Sequence, residues 1–350
     1  MKFTSRRTFV LLAASMVTLL GACEQKAPES AKPTAGAGGA SGGGGGTGGG
    51  GGGAGGAATK RVRLAFSQIG AESDWRKANT ESIKAEAAAR GYELVFSDAQ
   101  QKQENQIKAL RSFVAQGVDV IAFSPVVETG WEPVLKEIKQ AGIPVVLTDR
   151  AVQVSTPDLF VTFIGADFVE EGRNAAAWLA KSTNGKATVV ELQGTAGSAP
   201  AIDRKKGFEE GIKAFPDIKI IKSQSGEFTR AKGREVMESF LKSPEGKQIT
   251  ALYAHNDDMA LGAIQAIEEA GLKPGVDIKI VSIDAVKAAF EAMVAGKLNC
   301  TVECSPLLGP KLCDAVDAIM AKKTIERRIV TEAAVFDQSS AAAALSSRKY

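Results

Sequence analysis

Val118-Asp-Val-Ile-Ala-Phe-Ser-Pro125, then Trp131-Glu-Pro-Val-Leu-Lys-Glu-Ile-Lys-Gln-Ala141, then Gly142-Ile-Pro-Val-Val-Leu-Thr-Asp-Arg150 reads as strand, helix, strand. The runs Val118–Phe123 and Ile143–Leu147 are almost continuously apolar and rich in β-branched residues. Strands buried on both faces need that composition. Trp131–Ala141 is amphipathic at helical spacing, and Gly142 suits the turn that ends a helix. A strand, a helix of this length and a second strand form a βαβ unit, whose two strands lie parallel.

The pattern repeats outward in both directions. Further strands are expected at Val62–Phe66, Tyr92–Phe96, Ala187–Leu192, Ile218–Ile221, Ile249–Tyr253 and Ile278–Ile283. Helices are expected at Trp75–Arg90, Gln103–Gln116, Phe168–Ser182, Ile202–Ala214, Arg230–Lys242 and Asp257–Ala270. Gly91, Gly117 and Gly271 close helices as Gly142 does. The spacing predicts an α/β fold of two doubly wound parallel-sheet lobes of similar size, with the break near Thr162–Gly165.

The 350 residues carry a net charge of +3, with 44% hydrophobic and 24% charged residues. That is globular composition and excludes a wholly disordered or fibrous chain. A net charge so near zero offers no broad basic face, so no nucleic-acid partner is expected. One histidine and four cysteines exclude a zinc site built from several histidines and argue against a disulfide-dense scaffold. No metal and no cofactor are expected. Phosphate-loop, dinucleotide-binding and G-x-S-x-G motifs are all missing, so His255 reads as a supporting or surface group, not a catalytic base.

The first sixty residues read differently. A basic start (Lys2, Arg6, Arg7) leads into the apolar run Phe9–Leu20, too short for a comfortable membrane span and typical of an export signal. It ends in Leu20-Gly-Ala-Cys23, which resembles a bacterial lipobox and implies cleavage before Cys23 with lipid on its sulfur. Ser5-Arg-Arg-Thr-Phe-Val10 also looks like a twin-arginine signal, so two export routes stay open. Residues 24–59 form a Pro/Ala-rich and then Gly-rich stretch, with Gly36–Gly56 at its centre. So little of it can be buried that it reads as a disordered tether. A folded body leashed to a membrane through its lipid alone is the expectation.

In doubly wound sheets, ligands bind beyond the carboxyl ends of the strands. There the chain places Ser67-Gln68, Ser124-Pro125 and Thr148-Asp149-Arg150 in the first block. In the second it places Gln193-Gly194, His255-Asn256-Asp257-Asp258 and Asp284. Planar amide, carboxylate and guanidinium groups from both blocks suit a ligand with many hydroxyls.

Several segments carry a family resemblance. They include Phe66-Ser-Gln-Ile-Gly-Ala-Glu-Ser-Asp-Trp-Arg76, Asp98-Ala-Gln-Gln-Lys-Gln-Glu-Asn-Gln-Ile107, Gly130-Trp-Glu-Pro-Val-Leu-Lys136 and Glu191-Leu-Gln-Gly-Thr195. Ile202-Asp-Arg-Lys-Lys-Gly-Phe208, Ser223-Gln-Ser-Gly-Glu-Phe-Thr-Arg230 and Tyr253-Ala-His-Asn-Asp-Asp-Met259 continue it. Lys60 to about Glu332 resembles the periplasmic sugar-binding proteins of ABC importers, of the ribose-binding type, and within them the galactofuranose-binding branch.

The resemblance implies the type I periplasmic binding protein fold, with three hinge crossings near Thr162–Gly165, Cys304–Pro306 and Arg328–Thr331. Residues 60–164 plus 305–328 would form one lobe and 165–304 plus 329–340 the other, with a helix Leu307–Ala321 returning to the first. It implies a monomer that captures a monosaccharide, galactofuranose or a similar sugar, and delivers it to the permease subunits of an importer. Residue by residue it implies Ser67, Trp75, Arg76, Asp149, Arg150, Arg204, Phe228, Asn256 and Asp284 as ligand contacts. Gln68, Glu303, Cys304 and Ser305 are weaker candidates, the last two because the family often has a polar residue at the second hinge. Arg76 departs from the ribose pattern. Trp75 would lie flat on one face of the sugar and Phe228 would close over the other.

Other readings are a secreted carbohydrate-active enzyme using Asp149 and Asp284, or the same fold as a sugar-sensing partner of a receptor. A guanidinium beside Asp149 is poor company for a carboxyl that must act as an acid. The export signal and the missing helix-turn-helix oppose a repressor. Beyond Cys23, Cys300 and Cys304 would lie about 13 Å apart on one strand, outside disulfide reach. Cys304 and Cys313 have room to pair, and buried free thiols are the expected state.

Overall fold

A computed structural model describes residues 61–350. The expected signal, the lipidation site Cys23 and the tether 24–59 lie outside the described residues.

The first lobe opens with strand β1 (Arg63–Gln68), helix α1 (Asp74–Ala89), β2 (Glu93–Asp98), α2 (Gln103–Ala115), β3 (Val120–Phe123), α3 (Glu132–Gln140), β4 (Val145–Thr148) and β5 (Thr162–Gly165). The chain then crosses. The second lobe holds α4 (Phe168–Ser182), β6 (Lys186–Gln193), α5 (Ala199–Ile212), β7 (Asp217–Ser225), α6 (Arg230–Lys242), β8 (Ala251–Ala254), α7 (Asp257–Glu269), β9 (Lys279–Asp284), α8 (Lys287–Val294) and β10 (Cys300–Glu303). It returns through α9 (Gly309–Met320) and β11 (Arg328–Val330), then crosses again into β12 (Val335–Asp337) and α10 (Gln338–Leu345).

The first sheet has the order β11-β5-β4-β3-β1-β2 and is parallel throughout. The second has the order β12-β10-β9-β8-β6-β7, with only β12 antiparallel. Strand order reverses beside β1 in one lobe and beside β6 in the other, so each sheet has its switch point at the cleft between the lobes. The core strands are apolar because helices cover both faces: Val120–Phe123 and Val145–Thr148 are buried along their whole length. Leu312, Ala315 and Val316 of α9 pack with Leu64, Phe66 and Ile164, which ties that helix to the first lobe.

Two differences from the sequence reading concern the last crossing. A boundary between 328 and 329 falls inside β11, which pairs with β5 through Val330↔Gly165. Structure on the second lobe continues past residue 340, because α10 runs to Leu345 against that lobe's core. Strands β11 and β12 are three residues long each, too short for an apolar pattern to announce them.

Close helix packing sets the second lobe's geometry. A Cβ on Gly207 of α5 would lie 1.9 Å from the Val169 carbonyl oxygen, and one on Gly172 of α4 would lie 2.3 Å from that of Arg204. The two backbones touch, and that contact brings Glu171 of α4 alongside Arg204 of α5.

Candidate functional site

The cleft between the switch points encloses about 290 Å³ of empty space, its mouth included, lined from both lobes. Trp75, Arg76, Asp149, Arg150, Arg204, Phe228, Asn256, Asp284 and Cys304, all named as candidates from the sequence, line it together with Glu72, Ser73 and Pro200.

On the first lobe the side chains come from the start of α1 and the end of β4. Ser73 caps α1, its Oγ accepting from Arg76 N–H at 3.1 Å, so Trp75 and Arg76 sit in the first helical turn. Trp75 Nε1 donates across the hinge to the Cys304 carbonyl at 2.5 Å. Arg76 is clamped by Glu72 at 3.0 Å and by Asp149 at 2.7 Å. Burial opposes the Arg76 charge, but Asp149 and Glu72 outweigh it and hold the guanidinium above its ordinary pKa. Arg150 is less well served: its Nη1 donates to the Val126 carbonyl at 3.0 Å, Asp149 is 3.7 Å from its Nε, and that Nε has no hydrogen-bond partner. Burial, and then repulsion by Arg76, pull the Arg150 pKa down to about 10. A second orphaned atom, Glu72 Oε2, belongs to the same wall.

On the second lobe, Arg204 Nε donates to Glu171 Oε2 at 2.9 Å and its Nη2 lies 3.6 Å from Asp284. Asn256 caps α7 and donates from Nδ2 to the Phe228 carbonyl at 3.1 Å. Burial pushes the Asp284 carboxyl well above its ordinary pKa, and Arg204 opposes the shift. Phe228 presents its ring beneath the Arg150 guanidinium, 5.1 Å from the centroid.

The backbone is strained where these groups point inward. Asp149 has φ 63°, Phe228 has φ 62° and Asp284 has φ 126°. Non-glycine residues in this region cost about 1–3 kcal/mol each and gather at functional sites. The strain aims three of the expected side chains into one space, which regular strand ends would not do.

Four expected residues do not line the cavity. Ser67 and Gln68 lie beneath it, where Gln68 Oε1 supports Arg76 Nη1 at 3.3 Å and its Nε2 donates to Asn79 at 2.9 Å. Arg76, two turns of chain later, covers the end of β1. Glu303 faces the other way and accepts from Arg348 and from Tyr350 Oη. Ser305 Oγ accepts from Leu307 N–H at 3.4 Å within the hinge turn. Glu72 was missed because it precedes its helix; the signal was its four-residue spacing from Arg76. Cys300, Cys304 and Cys313 are free and buried. Among the described residues no cluster of His, Cys, Asp and Glu is arranged to hold a metal ion.

Residues 64–324 match the model of the periplasmic binding protein domain. The chain belongs to the periplasmic binding protein family. Membership implies an exported protein of the periplasm. The galactofuranose-binding protein YtfQ of Escherichia coli is 56% identical over 268 residues, 76% of this chain and 84% of that one. Two solved structures of relatives are similar in fold as well. The binding component of the arabinose ABC transporter of Shewanella sp. ANA-3, bound to α- and β-L-arabinofuranose, is 55% identical with a TM-score of 0.81, covering 82% of this chain and 96% of that one. A Mycobacterium smegmatis protein in complex with β-D-fucofuranose is 55% identical with a TM-score of 0.80, covering 83% and 95%. These periplasmic binding proteins hold solutes and are not enzymes. In this member the carboxylates of the two-carboxylate reading, Asp149 and Asp284, are engaged with Arg76 and Arg204.

Proposed function

We propose that this chain captures a monosaccharide in its furanose form, galactofuranose or a close analogue, by closing its two lobes over it, and passes it to an ABC importer. The observation that carries the reading is the lining of one small cleft by Trp75 and Phe228 with three guanidinium groups and three carboxyl groups, Glu72, Asp149 and Asp284, from opposite lobes. Aromatic faces cover the C–H patches of a sugar by dispersion and desolvation. Arg76, Arg150 and Arg204 donate to hydroxyl oxygens, Asp149 and Asp284 accept from hydroxyls, and Asn256 does either. Each charge-assisted bond is worth about 1.5–3 kcal/mol. A hydroxyl of the wrong configuration leaves one of these buried groups unpaired, which gives stereospecificity. The furanose form is favoured because relatives above half identity hold galactofuranose, arabinofuranose and fucofuranose.

Because the contacts come from both lobes, the ligand stabilises the closed arrangement by its differential affinity for it. The permease subunits would read that closed shape. The protein would work as a monomer, anchored through lipid on Cys23 and reaching outward on the 24–59 tether. Titration calorimetry with D-galactose, L-arabinose and D-ribose, with the bound ring form read from carbon-13 NMR of labelled sugar, tests the reading. Heat for galactose or arabinose with a furanose spectrum supports it. No heat for any pentose or hexose ends it.

A further inference from the structure

His255 is the only histidine of the chain and is fully buried behind the cleft. Its Nε2 lies 3.1 Å from Glu191 Oε1, and its Nδ1 accepts from Gly194 N–H at 3.4 Å. A backbone N–H only donates, so Nδ1 is the bare nitrogen and Nε2–H points at the carboxylate. Glu191 is immobilised in turn. Its other oxygen accepts from the Ser223 hydroxyl, from Lys205 at 3.2 Å and from Gln193 at 3.2 Å.

Three consequences reach the cleft. A Cβ on Gly194 would lie 1.8 Å from Cζ of Phe228, so the ring rests against that glycine. Holding its N–H therefore holds the ring's support. The main-chain carbonyl of His255, carried on the backbone that the imidazole anchors, accepts from Arg204 Nη1 at 2.6 Å and fixes the guanidinium that faces Asp284. Asn256 follows in the chain and binds the Phe228 carbonyl. We propose that His255, paired with Glu191, is the positioning residue for the second lobe's share of the site, setting Phe228, Arg204 and Asn256 against the ligand. This rests on the sugar-binding reading of the cleft.

The arrangement works only while Nδ1 accepts. A proton there would set a donor against the Gly194 N–H and turn that peptide away from Phe228. Glu191 favours the proton; burial, Arg204 and Lys205 oppose it, and burial leads, so the imidazole titrates below its ordinary value. The Tyr253 ring, 5.0 Å away, and the Gly194 peptide complete its surroundings.

The experiment uses the untagged full chain. Its single imidazole gives one set of nitrogen-15 signals, expected to show the neutral Nε2–H tautomer and to titrate below about 6.5. Titration at the ordinary value, or the other tautomer, overturns the proposal whether or not sugar binds. Affinity for L-arabinose and D-galactose is then compared across H255A and H255Q. Loss of the acceptor should weaken binding about tenfold or more in H255A. The glutamine amide accepts and donates toward the same two partners, so H255Q should recover most of that loss. Equal loss of thermal stability in both with unchanged affinity would reduce His255 to packing. Should H255A not fold, the pH profiles decide. Wild type should lose affinity relative to H255Q on acidification, and parallel profiles overturn the proposal. A wild type that takes up neither sugar refutes the sugar-binding reading, and the NMR result still judges His255.

Discussion

Asp74 and Asp258, on opposite lobes, are joined at the lip of the cleft: the Asp74 N–H donates to Asp258 Oδ2 at 2.9 Å. Their like charges tolerate this closeness because Arg230 Nη2 lies 3.1 Å from a carboxylate oxygen of each. Burial pushes the Asp258 carboxyl up, and Arg230 opposes that shift. Arg230→Ala leaves two facing carboxylates with no cation between them, which favours the open arrangement. The bridge is partly exposed, so the effect is small, about two- to fivefold in affinity. It should appear as faster sugar release in stopped-flow traces, and the difference from wild type should shrink in high salt. Unchanged release would remove this bridge from the closing mechanism.

Arg150 gives a prediction of opposite sign for stability and for binding. Its guanidinium is buried beside Arg76 with Nε unpartnered, so in the free protein it is a charge the fold tolerates poorly. Arg150→Ala should leave the melting temperature of the free protein equal or higher. Binding should weaken about tenfold or more, since a donor to the ligand is gone. The stabilisation conferred by saturating sugar in thermal scans should fall accordingly. A drop in free-protein stability with affinity intact would place Arg150 in the scaffold. Trp75→Ala should likewise weaken binding about tenfold without unfolding the chain, through lost ring contact.

Much of this is legible in the sequence, for identifiable reasons. Parallel strands buried on both faces must be continuously apolar, so Val120–Phe123 and Val145–Thr148 announced themselves. Topology alone then puts Asp149, Arg150, Asn256 and Asp284 at the cleft. Side-chain direction was not legible. Ser67 and Gln68 occupy an equivalent strand end, yet Arg76 covers them and leaves Gln68 to hold it. Glu303 ends β10 like its neighbours, but Arg348 and Tyr350 draw it away, and nothing local in Cys300–Glu303 encodes a contact some forty-five residues on. The strained φ values at Asp149, Phe228 and Asp284 were also beyond reach, because no local preference of those residues calls for them.

Two glycines separate a lesion in the site from a lesion in the fold. At Gly194 the three atoms nearest an added methyl group all belong to the Phe228 ring, a side chain on the loop between β7 and α6 and not a helix backbone. Gly194→Ala should therefore cost affinity, about tenfold, with little change in the unfolding midpoint. At Gly207 the methyl meets the Val169 carbonyl at 1.9 Å, and neither helix backbone can give way cheaply. Gly207→Ala should lower stability by about 1–3 kcal/mol or more. Denaturant unfolding beside sugar titration of both variants checks the pair, and the reversed ranking would show that Phe228 is part of the core.

Asp257 governs how stability responds to pH. Its carboxylate is fully buried at the start of α7 and accepts from Ser282 at 2.5 Å, Thr301 at 2.8 Å and Val286 N–H at 2.9 Å, which stitches the helix to β9 and β10. Burial nonetheless pushes its pKa up to about 7, and neighbouring Asp258 adds to the rise. A carboxyl whose pKa is raised by folding stabilises the fold most when protonated. Its contribution is complete below the unfolded value of about 3.9 and is lost as pH rises toward about 7. The fold should therefore be more stable at pH 5 than at pH 8, by about 3 kcal/mol at most from this group, because part of its contribution is already lost by pH 5. Asp257→Asn retains an oxygen for the Val286 N–H and turns an amide toward the two hydroxyls, which can reverse their roles. It should match or exceed wild type in denaturant midpoint at pH 8 and flatten the slope between pH 5 and 8. Because Asp258 and Asp284 are shifted in the same direction, a residual slope of that sign should persist. An unaltered slope in the variant would move the pH response away from Asp257 altogether.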